Sequence, residues 1–143
     1  MPVVRFAFTP APAHVRTARL VAASVAQQAS LSGETLDEVR QAAGEACSRA
    51  VARHRRHGIT DLVRMKLTIG AHFVAEIADF APITPNLMRD PAGDGHELTD
   101  GAEDEDLLTE EVALTLLAGL VADLQVIEGD DGAGSVVRMA WPL

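Results

Sequence analysis

The sequence predicts an α+β fold, a two-layer sandwich in which a mixed β-sheet is covered on one face by helices. The first observation is the order of patterns along the chain: one strand, two helices, two strands, one helix and two strands. The second is that aromatic residues make up only 3% of the chain, so the core is built mainly from Ala, Val, Leu and Ile, which suits closely packed helices. The third is the length of 143 residues, which suits one hydrophobic core. We therefore expect residues 1–143 to form a single domain.

The first half of the chain predicts a strand followed by two helices. The segment VVRFAF (3–8) alternates and is rich in Val and Phe, as strands are. Apolar residues at helical spacing predict a first helix over residues 14–29. A second helix is expected to begin at a Thr35 cap and to end near Arg56, before Gly58.

Two strands and a long acidic segment follow. LVRMKLTIG (62–70) and HFVAEIADF (72–80) predict the two strands of a hairpin, because they are strand-like and closely spaced. Residues 84–108 contain prolines, glycines and the acidic run EDED (103–106), which predicts a solvated lid loop, ordered or disordered.

A third helix and two strands complete the chain. The helix is expected over residues 109–122 with Thr109 as its cap. DLQVIEG (123–129) and SVVRMAW (135–141) predict two final strands joined by a glycine-rich turn.

Composition excludes several classes of protein. The formal net charge of −9 argues against a nucleic-acid binder, because phosphate neutralisation supplies most of the affinity of such proteins. The apolar runs are too short for a membrane span, and we find no signal-peptide pattern. Cys47 is the single cysteine, and no Cys/His spacing predicts a metal site. A reducing cytoplasm fits these features.

The second helix contains the segment GEACSRAV (44–51), and the strand before the acidic segment closes with EIAD (76–79). Together with the order of elements, these segments resemble the anti-sigma-factor serine kinases, which have the GHKL (Bergerat) ATP-binding fold. The resemblance extends from VRFAF to SVVRMAW and rests more on element order than on invariant motifs.

The resemblance implies roles for two residues of the second helix. The family motif is Glu-Ala-x-x-Asn-Ala, in which Glu is the catalytic base and Asn holds the magnesium bound to the triphosphate. Glu45 matches the base, and Arg49 stands in place of the Asn. Residues four apart share one helix face, so both would reach the same cleft. Because an arginine side chain has donors and no acceptor, it cannot ligate magnesium.

The other two nucleotide motifs of the family are also altered. In the motif Asp-x-Gly-x-Gly the Asp accepts a hydrogen bond from adenine; Asp79 matches it, while Ala81 and Ile83 replace the glycines. In the Gly-x-Gly at the helix after the lid, Glu111 and Ala113 replace the glycines. A triphosphate would also meet an acidic segment there. We therefore expect a degenerate site with no cofactor, although ATP and magnesium remain possible by resemblance.

The function that this resemblance implies is a regulator in a partner-switching system, which binds a sigma factor, an anti-anti-sigma (STAS) protein, or both. ATP binding and kinase activity would be weak or lost. Arg16 and Arg19 of the first helix match the partner-binding position, and a homodimer formed through the sheet and the first helix is implied. The alternatives are an active serine kinase that phosphorylates an anti-anti-sigma factor, and a small-ligand sensor that uses the altered cleft.

Each of these residues also has a purely structural explanation. Glu45 and Arg49 could form an ion pair on a solvated helix face, and Asp79 could simply end a strand before a turn. The cationic run at 53–56 could be a solvated helix end. We also hypothesise that the acidic lid folds back on that basic end, or on the cleft, and takes the place of the phosphates.

Overall fold

The computed structural model describes residues 2–82, 101–129 and 133–143. These residues form five strands and three helices in the predicted order: β1 (Val3–Phe8), α1 (Pro12–Gln28), α2 (Gly33–Arg56), β2 (Val63–Ile69), β3 (His72–Asp79), α3 (Gly101–Leu120), β4 (Asp123–Glu128) and β5 (Ser135–Pro142).

The five strands form one open sheet in the order β1-β2-β3-β5-β4. All four neighbouring pairs are antiparallel, so the mixed pairing that the sequence suggested is wrong for this sheet. The reason is that β5 returns between β3 and β4. These two strands are joined through a helix and run parallel to each other, and β5 separates them.

The helices lie on one face of the sheet, which confirms the α+β sandwich. Small residues allow α1 and α2 to pack closely, and those with no exposed surface include Ala18, Ala22, Ala26, Ala42, Ala43 and Ala46. Larger side chains from the sheet fill the layer beneath them, among them Met65, Leu67, Phe73, Ile77 and Met139. None of the described helices is both long and apolar enough to cross a membrane.

The N-cap of the second helix lies three residues before the expected position. Ser32 is the N-cap, and its Oγ accepts a hydrogen bond from the backbone N–H of Thr35 at 3.3 Å. Thr35 is therefore inside the first turn, and its prediction as the cap is wrong. The sequence offers two hydroxyl residues three positions apart, and only the backbone conformation shows which one precedes the helix.

The third helix begins at Gly101, so the predicted lid loop is wrong for residues 101–108. Thr109 does not cap this helix, because its Oγ1 donates within it to the Glu105 carbonyl oxygen at 2.9 Å. The acidic residues 103–106 fall in the first two turns of the helix, where the dipole favours negative charge. The remainder of the predicted lid, residues 84–100, lies outside the described residues.

Cys47 should be unreactive toward Ellman's reagent in the native protein. Its side chain has no exposed surface, and burial raises the pKa of the thiol to about 12 despite the charge of Arg19 nearby. The reactive form is the thiolate, so labelling at about pH 8 should proceed only through unfolding. As a control, the exposed position of Ser24→Cys in α1 should react at once. Rapid stoichiometric labelling of native Cys47 would contradict this burial.

Candidate functional site

The candidate site lies where α2, α3 and the end of β3 meet. Three arginines of α2, at positions 49, 53 and 56, are spaced so that they share one face of the helix. That face is turned toward α3 and the end of the sheet instead of toward solvent. Arg49 and Arg53 are each 6% exposed, which is unusual for arginine and requires acceptors within the protein.

The central contact joins Arg53 to Asp79. The Nε of Arg53 donates to Asp79 Oδ2 at 3.0 Å, and the side chain of Asp79 is only 1% exposed. The Nη2 of Arg53 donates to the carbonyl oxygens of Ala81 and Pro82, at 2.9 and 3.2 Å. One guanidinium therefore holds both the last side chain of β3 and the backbone that follows it.

Both carboxylate oxygens of Asp79 are engaged by the protein itself. Besides Arg53, Oδ2 accepts a hydrogen bond from Ser135 Oγ at 2.7 Å. Oδ1 accepts from the backbone N–H of Ala81 at 2.9 Å, which stabilises the turn after the strand. Ser135 reaches this position because Gly134, at φ 84°, allows the chain to pass close to the backbone of Asp79 and Phe80.

Arg49 points to the same carboxylate. Its Nη1 donates to Ser135 Oγ at 3.2 Å and lies 3.6 Å from Asp79 Oδ2. Its Nε is buried without a hydrogen-bond partner within the described residues. Burial lowers the pKa of the guanidinium, and the neighbouring charge of Arg53 lowers it further. Arg49 is thus a buried cation held beside Asp79.

Acidic residues of α3 complete the network from the opposite side. Glu110 accepts from Arg53 Nη1 at 3.5 Å and from Arg56 Nε at 2.7 Å. Asp106 lies 3.9 Å from Arg55, and burial raises the pKa of the Asp106 carboxyl. The acidic segment therefore does meet the basic end of α2, as hypothesised, but from a helix in place of a loop.

A buried histidine, His54, connects α2 to the backbone next to this network. His54 has no exposed surface; its Nδ1 lies 3.0 Å from the Asp61 carbonyl oxygen, and its Nε2 accepts from the Phe80 backbone N–H at 2.9 Å. One nitrogen must donate and the other must accept, so the ring is neutral with its proton on Nδ1. Burial also lowers the pKa of His54. The ring thereby joins α2 to the residue that follows β3.

The other predicted site residues lie apart from this network. Glu45 is half-buried and forms no hydrogen bond or ion pair within the described residues, so the Glu45–Arg49 surface ion pair is wrong. Arg16 is exposed on α1, whereas Arg19 is half-buried and lies against Gly44. On α3, Glu111 is exposed and Ala113 is buried in the core.

Sequence reasoning missed Arg53, Glu110 and Ser135 as members of the site. A signal for Arg53 existed, since it follows Arg49 by one helical turn and should share its face. For Glu110 and Ser135 we find no local signal, because their partners are 57 and 56 residues away in the chain.

Comparison with models of known protein families gives a match over most of the chain. The model of the histidine kinase-like ATPase domain matches residues 8–141, which is nearly the whole chain. The chain belongs to the histidine kinase-like ATPase domain family. None of the curated proteins compared with it gives a significant match.

ATP and magnesium are the groups that a histidine kinase-like ATPase domain implies, and the residues present do not fit them in the way the resemblance described. The oxygens of Asp79 already accept three hydrogen bonds from the chain itself. Because this side chain is only 1% exposed, adenine could reach it only if the surrounding side chains moved aside. Arg49 offers a positive charge where magnesium would need an acceptor. Glu110 places a carboxylate beside the arginines that could otherwise receive phosphate.

Asp79→Asn should strongly destabilise this domain. The substitution removes the negative charge that faces two buried arginines, and breaking a buried pair in this way typically costs about 3–5 kcal/mol. Urea unfolding at neutral pH measures the change. The matched control is Asp37→Asn in the exposed Arg40–Asp37 pair, which should change stability by about 0.5 kcal/mol or less. Equal effects of the two substitutions would exclude a central role for Asp79.

Acidification should destabilise the domain through His54. Its pKa lies below the ordinary 6.5 when the protein is folded, so the unfolded state binds more protons between these two values. Stability is therefore full above about pH 6.5 and falls as pH drops through the folded-state value. Burial and the charge of Arg56 also lower the pKa of His57, so this residue adds to the slope of stability against pH. Urea unfolding at several pH values should give a shallower slope for His54→Gln, and an unchanged slope would contradict the assignment.

Proposed function

We propose that this protein is a regulator in a partner-switching system, in which it binds a sigma factor, an anti-anti-sigma (STAS) protein, or both. Its cleft is closed by its own side chains, so it binds ATP weakly or not at all and transfers no phosphate. The protein would then regulate its partner by binding to it and not by phosphorylating it.

The observation that carries this proposal is the engagement of Asp79. In the resemblance this carboxylate is the acceptor for adenine, and here Arg53, Ser135 and the Ala81 N–H already occupy it. Displacing Arg53 would leave a buried guanidinium without its carboxylate, which costs several kcal/mol. A nucleotide would have to recover that free energy before it gained any affinity.

The acidic residues of α3 also argue against nucleotide binding. The face of α3 that meets α2 carries Asp106 and Glu110, both buried. Both carboxylates are paired with arginines of α2, so a phosphate would have to compete with them for those arginines.

The partner surface that we propose is on α1. Arg16 is exposed there, and Arg19 is one turn further along the same helix. These are the positions that the resemblance gives to partner binding. The homodimer that the resemblance implies stays a prediction.

One observation favours the runner-up, an active serine kinase. Glu45, the residue in the position of the catalytic base, is half-buried and uses its carboxylate in no other described contact. A base without a competing partner could still act on a phosphate group if the Arg53 network opened.

The expected result of an ATP titration by calorimetry, with and without magnesium, is no measurable binding up to about millimolar nucleotide, because Asp79 is engaged. Incubation with labelled ATP and a candidate STAS protein should leave that protein unlabelled. Micromolar ATP affinity together with phosphoserine on the STAS protein would establish the kinase instead.

Partner binding is tested separately, with candidate sigma factors and STAS proteins from the same organism. Arg16→Glu should weaken the complex about tenfold or more, because it reverses an exposed charge at the proposed interface. The control Arg40→Glu makes the same charge change on α2, and it should leave the affinity unaltered. Failure of every candidate to bind would reject the regulator.

A further inference from the structure

The face of the sheet opposite the helices is uncovered by any described element and carries an unusual pattern of charge. Strand register places three rows of side chains across it: Ala7, Arg64, Ala78, Val136 and Ile127; Arg5, Lys66, Glu76, Arg138 and Gln125; Val3, Thr68, Val74, Ala140 and Asp123. We call this surface the open face. It carries four cationic and two acidic side chains, whereas the whole chain has a formal net charge of −9. The open face is therefore positive on an acidic protein.

The positive charge is concentrated on β1 and β2. Arg5 and Lys66 are directly paired in register, and Arg64 is two residues from Lys66 on the same face. All three are exposed, and within the described residues none of them forms an ion pair. Like charges directly opposite on neighbouring strands are destabilising. This cluster therefore lacks the anions that would offset its repulsion.

The acidic residues on the same face do not supply those anions. Glu76 is opposite Lys66, but its carboxylate lies 4.0 Å from Arg138 Nε on the other side. Asp123 is on β4, at the far edge of the sheet. The Arg64 guanidinium is placed over the Phe80 ring, 5.9 Å from its centroid, which holds it near the sheet without neutralising it.

An apolar strip borders the cationic cluster. Ala78, Val136 and Ile127 are neighbours across β3, β5 and β4, and Ile127 is 45% exposed. The cations and these apolar residues line a groove of about 530 Å³, and the carboxylates of Glu76 and Glu128 also line it. At about 4.8 Å between strands, the row from Ala7 to Ile127 spans roughly 19 Å, enough for a helix of three turns or an extended segment.

We propose that the open face binds an acidic, amphipathic segment of a partner protein, whose carboxylates meet Arg5, Arg64 and Lys66 and whose apolar side chains cover Ala78, Val136 and Ile127. The sign of the charge and the adjacent apolar strip carry this assignment together. The site is separate from both the α2–α3 network and Arg16. On the sheet it is an alternative to the homodimer contact that the resemblance implies.

Two other occupants fit less well. A second copy would set one cationic cluster against another, because both copies present the same excess of positive charge. Single-stranded nucleic acid is usually bound by sheets through exposed aromatic rings that stack on bases. Strand register places none on the open face, and Phe80, which follows β3, is half-buried against Arg64.

The test is fluorescence anisotropy with a labelled amphipathic peptide that has leucine on one face and glutamate on the other. The full chain should bind this peptide in a salt-dependent manner, and the counterpart with lysine in place of glutamate should not bind. The double substitution Arg64→Glu/Lys66→Glu should weaken binding about tenfold or more. The matched control Arg40→Glu/Gln41→Glu/Ala118→Glu makes the same change in net charge at exposed positions of the helices, and it should bind like the unchanged protein.

Amide NMR spectra with the glutamate peptide should shift residues of β2, β3 and β5, which locates the contact. Equal affinity of Arg64→Glu/Lys66→Glu and its matched control, or shifts confined to the helices, would overturn the proposal. Tighter binding of single-stranded DNA than of the peptide would also overturn it. So would a dimer in sedimentation that Arg64→Glu/Lys66→Glu dissociates.

Discussion

The contact between the Arg53 guanidinium and the Asp79 carboxylate is the constraint on which the arrangement around the cleft depends. It joins α2 to the end of β3, and its further hydrogen bonds reach Ser135 of β5 and Glu110 of α3. Buried ions lose their hydration, and only well-placed partners offset that loss. The carboxylate of Asp79 faces both Arg49 and Arg53. These contacts therefore fix the positions of α2, α3, β3 and β5 relative to one another.

This network engages Asp79, the residue that the resemblance assigns to adenine. An open cleft leaves such a carboxylate available to a ligand, whereas here it accepts hydrogen bonds from the chain. A buried pair of this kind is weak evidence for high stability, since well-packed apolar residues often serve as well. It is better evidence of specificity, because Glu110 can approach Arg53 and Arg56 only when α3 is docked.

The charges of the protein are divided between its two layers. In the helical layer, Arg49 and Arg53 of α2 are buried and face acids from β3 and α3. On the open face, Arg5, Arg64 and Lys66 remain exposed beside an apolar strip. Ion pairs inside a fold define its own geometry, whereas exposed cations beside apolar surface favour contact with another molecule. The two layers therefore present different chemistry to partners.

The sequence by itself determined the α+β class, the order of all eight elements, and most element boundaries to within a few residues, because these follow from local periodicity and turn residues. It also identified Glu45, Arg49 and Asp79 as the positions to examine. It failed for the start of α3, where an acidic run that suits a solvated loop suits a helix N-terminus equally well. Only the tertiary structure decided that Arg49 faces Asp79 and not Glu45, that Arg53 is the main partner of Asp79, and that Glu110 closes the cleft. The reason is that a long side chain chooses among several acceptors by burial and distance, and residues more than 50 positions apart become neighbours only when the sheet and helices are assembled.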